Sequence, residues 1–332
     1  MTRPSRPPAV TLTSSDSTVA TVSAASSASP NRFTVTTVAS GPAAAQLTAS
    51  VTPVSGSGGS VLSTSAYLSP TPPAIPALAA SGVTEFNTNG SVIGLPSNAF
   101  PSETDIPTTT LTYGAGGIYE TTTSSGNNME VIVYNTSGSE TDFWSTSGGM
   151  MYASAATYDT HNGWTYFAGT NTSNAALVTA LDASGTTHTF SGGFAGFTDA
   201  FGITFDPQND DLYVATNSGV LAYSENGTRQ STPAFASNPE DVAYGAEHGW
   251  PYTLNDGSGG TTGSMVVYDA NGVQQSPQVT GLDLPTHIVY NPGSGLLYIL
   301  NAGNNTLSVV TQDGVTLNSL SSTTAATLGA IP

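Results

Sequence analysis

The sequence predicts an all-β protein whose main body is a ring of repeated four-stranded units. Three observations predict it: a hairpin pattern that returns six times, a second aromatic marker in step with it, and the lack of any sustained 3.6-residue apolar period. The hairpin pattern is an alternating apolar strand, a short turn ending in glycine, and a second, polar strand. Its six copies are VTEFNTNGSVIGL (83–95), VIVYNTSGSETDFW (131–144), LVTALDASGTTHTF (177–190), VLAYSENGTRQST (220–232), MVVYDANGVQQSP (265–277) and LSVVTQDGVTLNS (307–319). Their turn glycines are Gly90, Gly138, Gly185, Gly227, Gly272 and Gly314, separated by 48, 47, 42, 45 and 42 residues. The residues before them are Asn89, Ser137, Ser184, Asn226, Asn271 and Asp313. Asn-Gly and Asp-Gly predict a tight turn with both central residues at positive φ.

The second marker lies upstream of five hairpins, as an aromatic, a polar turn and a tyrosine. The pairs are Tyr113 and Tyr119, Tyr158 and Tyr166, Phe205 and Tyr213, Tyr244 and Tyr252, and Tyr290 and Tyr298. Each reads as strand, turn, strand, so a whole unit is four short antiparallel strands in about 40 to 48 residues. A sheet this thin cannot bury both faces alone. Stacking such sheets around an axis buries the faces and protects the edges. That is a β-propeller, and five full units plus the leading hairpin predict six blades. The first blade then lacks two inner strands, expected from the tail Leu320–Pro332 and from SVLSTSAYLS (60–69).

Within these repeats, ITFDPQNDDLYVATNSGVLAYSENGT resembles NHL-type propeller repeats. IVYNPGSGLLYILNAGNNTLSVVTQDG is similar to the YVTN-type repeat through Tyr298, Asn301, Asn305, Thr306, Ser308 and Val309. Such propellers occur in surface-layer proteins, binding scaffolds and some lactonases and lyases, so the resemblance speaks to fold more than to function.

The front of the chain reads differently. SSDSTVATVSA and FTVTTVASGPAAAQLTASV resemble the later half of a bacterial Ig-like domain, through Ser15, Asp16, Val19, Ala20, Val22, Ser23, Val38, Ala39, Gly41 and Leu47. The opening strands of that domain are missing before Val10, which implies either a cut or a strand supplied by another copy. The expected organisation is a partial Ig-like β-sandwich module over 1–68, a proline-rich linker over 69–80 and a six-bladed propeller over 81–332. Four prolines in SPTPPAIPAL make that linker extended and semi-rigid.

Composition then narrows the setting. The 332 residues carry 22 acidic against 4 basic side chains, a formal charge of -18, with no cysteine and no lysine. Nucleic acid and anionic membranes demand clustered cations, so neither is an expected partner. No run of 18 apolar residues is present to span a bilayer as a helix. MTRPSRPP has no apolar stretch behind its arginines, so it does not read as a secretory signal. The Ser, Thr, Asn and Gly richness still resembles exported surface proteins, and without cysteine their stability rests on burial and backbone pairing.

Candidate chemistry is sparse. His161 and His248 fall in similar turns, THNGW and AEHGW, which suits a repeated structural role. His287, in DLPTHIVY with Asp283 nearby, opens an innermost strand. Asp199, Glu240 and Asp241 precede innermost strands as well, and with His287 they define a possible ligand site at the channel mouth. Asp206, Asn209, Asp210 and Asp211 offer oxygen ligands for calcium, although acidic turns are ordinarily just solvated. Asn89, Asn135, Asn171, Asn226 and Asn304 head Asn-x-Ser/Thr sequences open to glycosylation. The leading expectation is a non-enzymatic extracellular structural or adhesive protein, a subunit of a surface filament or coat assembled by strand donation or head-to-tail contacts, whose partners are its own copies or surface glycans. The other is a propeller enzyme or a binder of small ligands or cations.

Overall fold

The computed structural model describes residues 110–321 apart from short turns, and gives side chains for most of them; for the rest of the chain it describes strands β1–β8 and β28 by their backbone alone. The chain divides into two compact units, the second comprising Ala74–Pro292 and Leu296–Pro332. In the first unit β1 (Ala9–Ser14), β4 (Ala45–Thr52) and β5 (Leu62–Leu68) form a sheet of order β1-β4-β5, and β2 (Ala20–Val22) pairs with β3 (Val35–Thr37). Ser15, Asp16, Val19, Ser23, Val38, Ala39 and Gly41, which carry most of the Ig-like signature, lie outside the described residues.

In the second unit, residues 110–321 build five blades. The first is β9 (Thr110–Gly114), β10 (Gly117–Thr123), β11 (Met129–Tyr134) and β12 (Glu140–Ser145). The second is β13 (Met150–Tyr158), β14 (Thr165–Asn171), β15 (Ala176–Leu181) and β16 (Thr187–Thr189). The third has three strands, β17 (Ala200–Asp206), β18 (Asp211–Thr216) and β19 (Gly219–Ser224). Among the described residues its fourth position holds the isolated bridges Val220 to Phe235 and Tyr223 to Arg229. The fourth blade is β20 (Asp241–Gly245), β21 (Trp250–Asn255), β22 (Gly263–Tyr268) and β23 (Gln274–Leu282). The fifth is β24 (Pro285–Asn291), β25 (Leu296–Asn301), β26 (Thr306–Thr311) and β27 (Thr316–Ser321). Every pairing is antiparallel, and β9, β13, β17, β20 and β24 are innermost, each packed on the next.

The expected count of six blades is therefore corrected to five. The hairpin at 83–95 instead joins a composite sheet of segments from either side of the five blades, order β28-β6-β7-β8, from β6 (Ile75–Ala79), β7 (Gly82–Phe86), β8 (Val92–Ile93) and β28 (Ala325–Leu328). β28 lies against β24 and β9. The tail thus supplies a strand as expected, but its partner is β6, from the stretch read as linker. Of residues 60–69, which were expected there, Leu62–Leu68 instead form β5, paired with β4.

The blades are held by their flanks. The second members of the aromatic pairs, Tyr119, Tyr166, Tyr213, Tyr252 and Tyr298, are all buried, on β10, β14, β18, β21 and β25. Tyr119, Tyr166, Tyr213 and Tyr252 belong to apolar clusters that join neighbouring blades, such as Tyr166, Val178, Phe205, Val214 and Tyr223 between the second and third. Burying such a side chain contributes roughly 1.5–3 kcal/mol.

The turn chemistry differs from expectation in one respect. Gly138, Gly185, Gly227, Gly272 and Gly314 have φ between 73° and 81°, but Asn226, Asn271 and Asp313 before them are not at positive φ. The loops are longer than two residues. Asp182, for example, donates its N–H to Thr186 O (3.1 Å) and accepts from Gly185 N (2.9 Å). A type I turn followed by one left-handed glycine needs positive φ only at the glycine.

Candidate functional site

The innermost strands enclose an axial cavity of about 110 Å³. Its wall is mostly apolar, with Leu111, Ala155, Ile203, Val242 and Val289 among its members, and Asp241 and His287 bring ionisable groups into it. Asp241 opens β20 and is 7% exposed. Its carboxylate accepts the N–H of Val242 (2.8 Å) and, across the blade boundary, the N–H of Ile288 on β24 (3.0 Å). Burial pushes Asp241 up to about 7 despite those two donors. Room for it comes from Gly202 on β17, where a Cβ would stand 2.2 Å from Asp241 Oδ1. Burial acts on His287 in the opposite sense, lowering it to about 4, so the ring is neutral at pH 7. Its Nδ1 and the neighbouring Thr286 Oγ1 are buried without a hydrogen-bond partner.

Asp241 and His287 are therefore brought together, while Glu240 and Asp199 are not among the cavity-lining residues. Glu240 is raised by burial and then by Asp256, and its N–H donates to Leu254 O at 2.8 Å. Asp199 is exposed and accepts from Thr198 Oγ1 at 3.0 Å. Asp283 stands at Gly303, whose N–H donates to its carbonyl at 3.0 Å. Asp241 and His287 thus put a protonatable carboxyl and a neutral imidazole into the wall of one cavity.

The residues considered for calcium are each engaged separately. Asp206 Oδ1 accepts the N–H groups of Gln208 (2.8 Å) and Asn209 (3.3 Å), and its Oδ2 accepts Asn209 Nδ2 (2.9 Å). Asp211 accepts Gln230 Nε2 at 2.9 Å, and Asp210 reaches back to His161 Nδ1 on the preceding blade. His248 makes a similar reach, from its Nε2 to Asp313 on the following blade at 3.2 Å. Both histidines thus bridge blades from their turns. Among the glycosylation candidates, Asn226 and Asn304 are exposed in turns, Asn135 and Asn171 are half-buried, and Asn89 lies outside the described residues.

Sequence reasoning missed two carboxylates, Asp159 and Glu225, which meet beside His161. They are 66 positions apart in the chain and come from different blades. Aligning the repeats would have shown Asp159 at the place of Asp206, and Glu225 at the place of Gln312.

No protein-family model matches the chain, and no curated protein matches it in sequence. Solved structures do. A chain of a nidogen/laminin complex is 12% identical with a TM-score of 0.55, covering 77% of this chain and 97% of its own. A protein of unknown function from Bacteroides caccae is 14% identical with a TM-score of 0.55, covering 78% of this chain and 98% of its own. At these identities the likeness is one of fold, and with the five blades it makes this chain an all-β protein of the β-propeller fold.

Proposed function

We propose that this chain is a non-enzymatic structural or adhesive protein of the cell exterior, a subunit of a surface filament or coat that joins copies of itself along the outer edges of its blades. The observation that carries this reading is the rim. Val273 and Val315 follow the turn glycines of the fourth and fifth blades at equivalent places, 55% and 56% exposed, and Leu317 on the outermost strand β27 is 56% exposed. An outermost strand has one unpaired backbone edge, and apolar side chains beside such an edge favour strand addition. Composition supports the location, with 4 basic residues, no lysine and no cysteine in 332 residues. One chain of similar fold is part of a nidogen/laminin complex, which agrees with a role in assembly.

The test is oligomeric state. Light scattering across a concentration series, with electron microscopy at its upper end, should show concentration-dependent assembly that Val315→Lys with Leu317→Lys abolishes. Monomers alone at the highest concentration would remove the reading.

A second reading is a small-ligand binder, favoured by the unpartnered His287 Nδ1 beside the axial cavity. Native mass spectrometry should then find a small molecule that is released by unfolding and absent from His287→Ala.

A further inference from the structure

We propose that the cleft between the second and third blades binds one divalent metal ion of the Zn²⁺ or Mn²⁺ class through the carboxylates of Asp159 and Glu225 and the imidazole of His161.

One ligand atom from each of these residues lies within 4.8 Å of those of the other two. Asp159 is fully buried at the end of β13. Its Oδ1 is occupied by its own turn, accepting the N–H groups of His161 (2.8 Å) and Asn162 (3.3 Å). Its Oδ2 is buried and receives no donor. What faces Asp159 is Glu225, a second acceptor whose proximity and charge add to burial in raising Asp159. Two carboxylates left facing one another in a desolvated place require a cation or a shared proton between them.

The equivalent turn one blade on shows that the missing donor is not forced by the fold. There Asp206 Oδ2 accepts Asn209 Nδ2 at 2.9 Å. In the Asp159 turn the corresponding amide, Asn162 Nδ2, turns instead to Tyr166 Oη at 3.0 Å, and Tyr166 donates to Glu225 O at 3.0 Å. That relay fixes the Glu225 backbone and leaves Asp159 Oδ2 free. His161 is steadied in turn by Asp210 through Nδ1. A carboxylate orienting a histidine is a frequent outer-shell arrangement of metal sites. Glu225 also lines a cleft of about 340 Å³ walled by Trp164 and Phe190, so one of the three ligands is reached from that space.

Donor chemistry selects the class. Calcium takes six to eight oxygens, whereas two carboxylates, one imidazole and water suit zinc, with manganese next. The experiment uses the full chain after chelator treatment, titrated calorimetrically with Zn²⁺, Mn²⁺, Ca²⁺ and Mg²⁺, with melting temperature followed in parallel. One equivalent of Zn²⁺ or Mn²⁺ should bind more tightly than Ca²⁺ or Mg²⁺ and raise the melting temperature in a concentration-dependent way. Asp159→Asn keeps an oxygen for the turn and should weaken binding by at least about 100-fold, as should Glu225→Gln. If Asp159→Asn does not fold, the half-buried Glu225→Gln decides alone. Failure of all four ions to bind, or Zn²⁺ binding that survives Glu225→Gln, overturns the proposal and leaves a shared proton as the occupant.

Discussion

The junction between the second and third blades and that between the fourth and fifth are assembled from the same parts. In each, a buried tyrosine donates its hydroxyl to a hairpin-turn carbonyl of the following blade: Tyr166 to Glu225 O at 3.0 Å, and Tyr252 to Gln312 O at 3.1 Å. They differ in two equivalent places, Asp159 against Gly245 and Glu225 against Gln312. At the fourth and fifth blades, Gln312 fills the space that a side chain on residue 245 would need, since a Cβ there would lie 2.5 Å from Gln312 Oε1 and from the Tyr252 ring. There an amide stands where the other junction has Glu225, and it takes up the space opposite Gly245. The other keeps two carboxylates and an open cleft. One scaffold thus accepts a closed seam or a charged one, depending on two side chains.

The largest effect expected from breaking the contrast comes at the filled seam. Gly245→Ala must displace Gln312 or Tyr252, an overpacking that costs typically about 1–3 kcal/mol, read from urea unfolding. Full wild-type stability in that variant would mean that the seam is looser than its contacts imply.

Converting the charged seam toward the filled one is next. In metal-free protein, Glu225→Gln supplies a donor for Asp159 Oδ2 and should add about 1 kcal/mol above pH 7. It should also change the pH profile. Burial first, then Glu225, raises Asp159 from 3.8 to about 6. The folded state therefore holds that proton more tightly than the unfolded chain, and stability falls as pH climbs through roughly 4 to 6. The glutamine variant should flatten that fall, and an unchanged slope would separate Asp159 from Glu225.

The shared clasp gives a comparable or smaller change. Tyr166→Phe and Tyr252→Phe each remove one hydroxyl and should each cost about 1 kcal/mol by denaturation. A large inequality between them would show that the two seams do not use the clasp alike.

The axial cavity should give the smallest net effect, because its two groups oppose one another. Asp241, raised from 3.8 to about 7, makes the fold lose stability as pH rises across that window. His287, lowered from 6.5 to about 4, makes it lose stability as pH falls from 6.5 toward 4. Melting temperatures of Asp241→Asn should therefore drop more steeply on acidification below pH 6.5 than those of the wild type.

Local pattern made the blades legible. A buried tyrosine on each second strand and a left-handed glycine after each third strand leave a periodic mark, because every blade solves the same packing problem. The count failed where that problem is solved by distant segments. β6 hides in a proline-rich stretch, with Pro76 paired to Glu85 in register, and nothing local marks it as a ring strand. The axial pair was half legible: Asp241 and His287 both open inner strands, but Glu240 and Asp199 share that mark without lining the cavity. Asp159 with Glu225 was not legible from either residue alone, since only the stacking of one blade on the next brings them together.

β28 pairs with β6 across the five blades, which lie between the two strands in the chain. A ribosome therefore releases the five blades one by one, while β6 and the seat beside β9 wait for a strand from beyond the fifth. Until β28 docks, that edge of β6 stays unpaired, and an unpaired edge is open to strand addition.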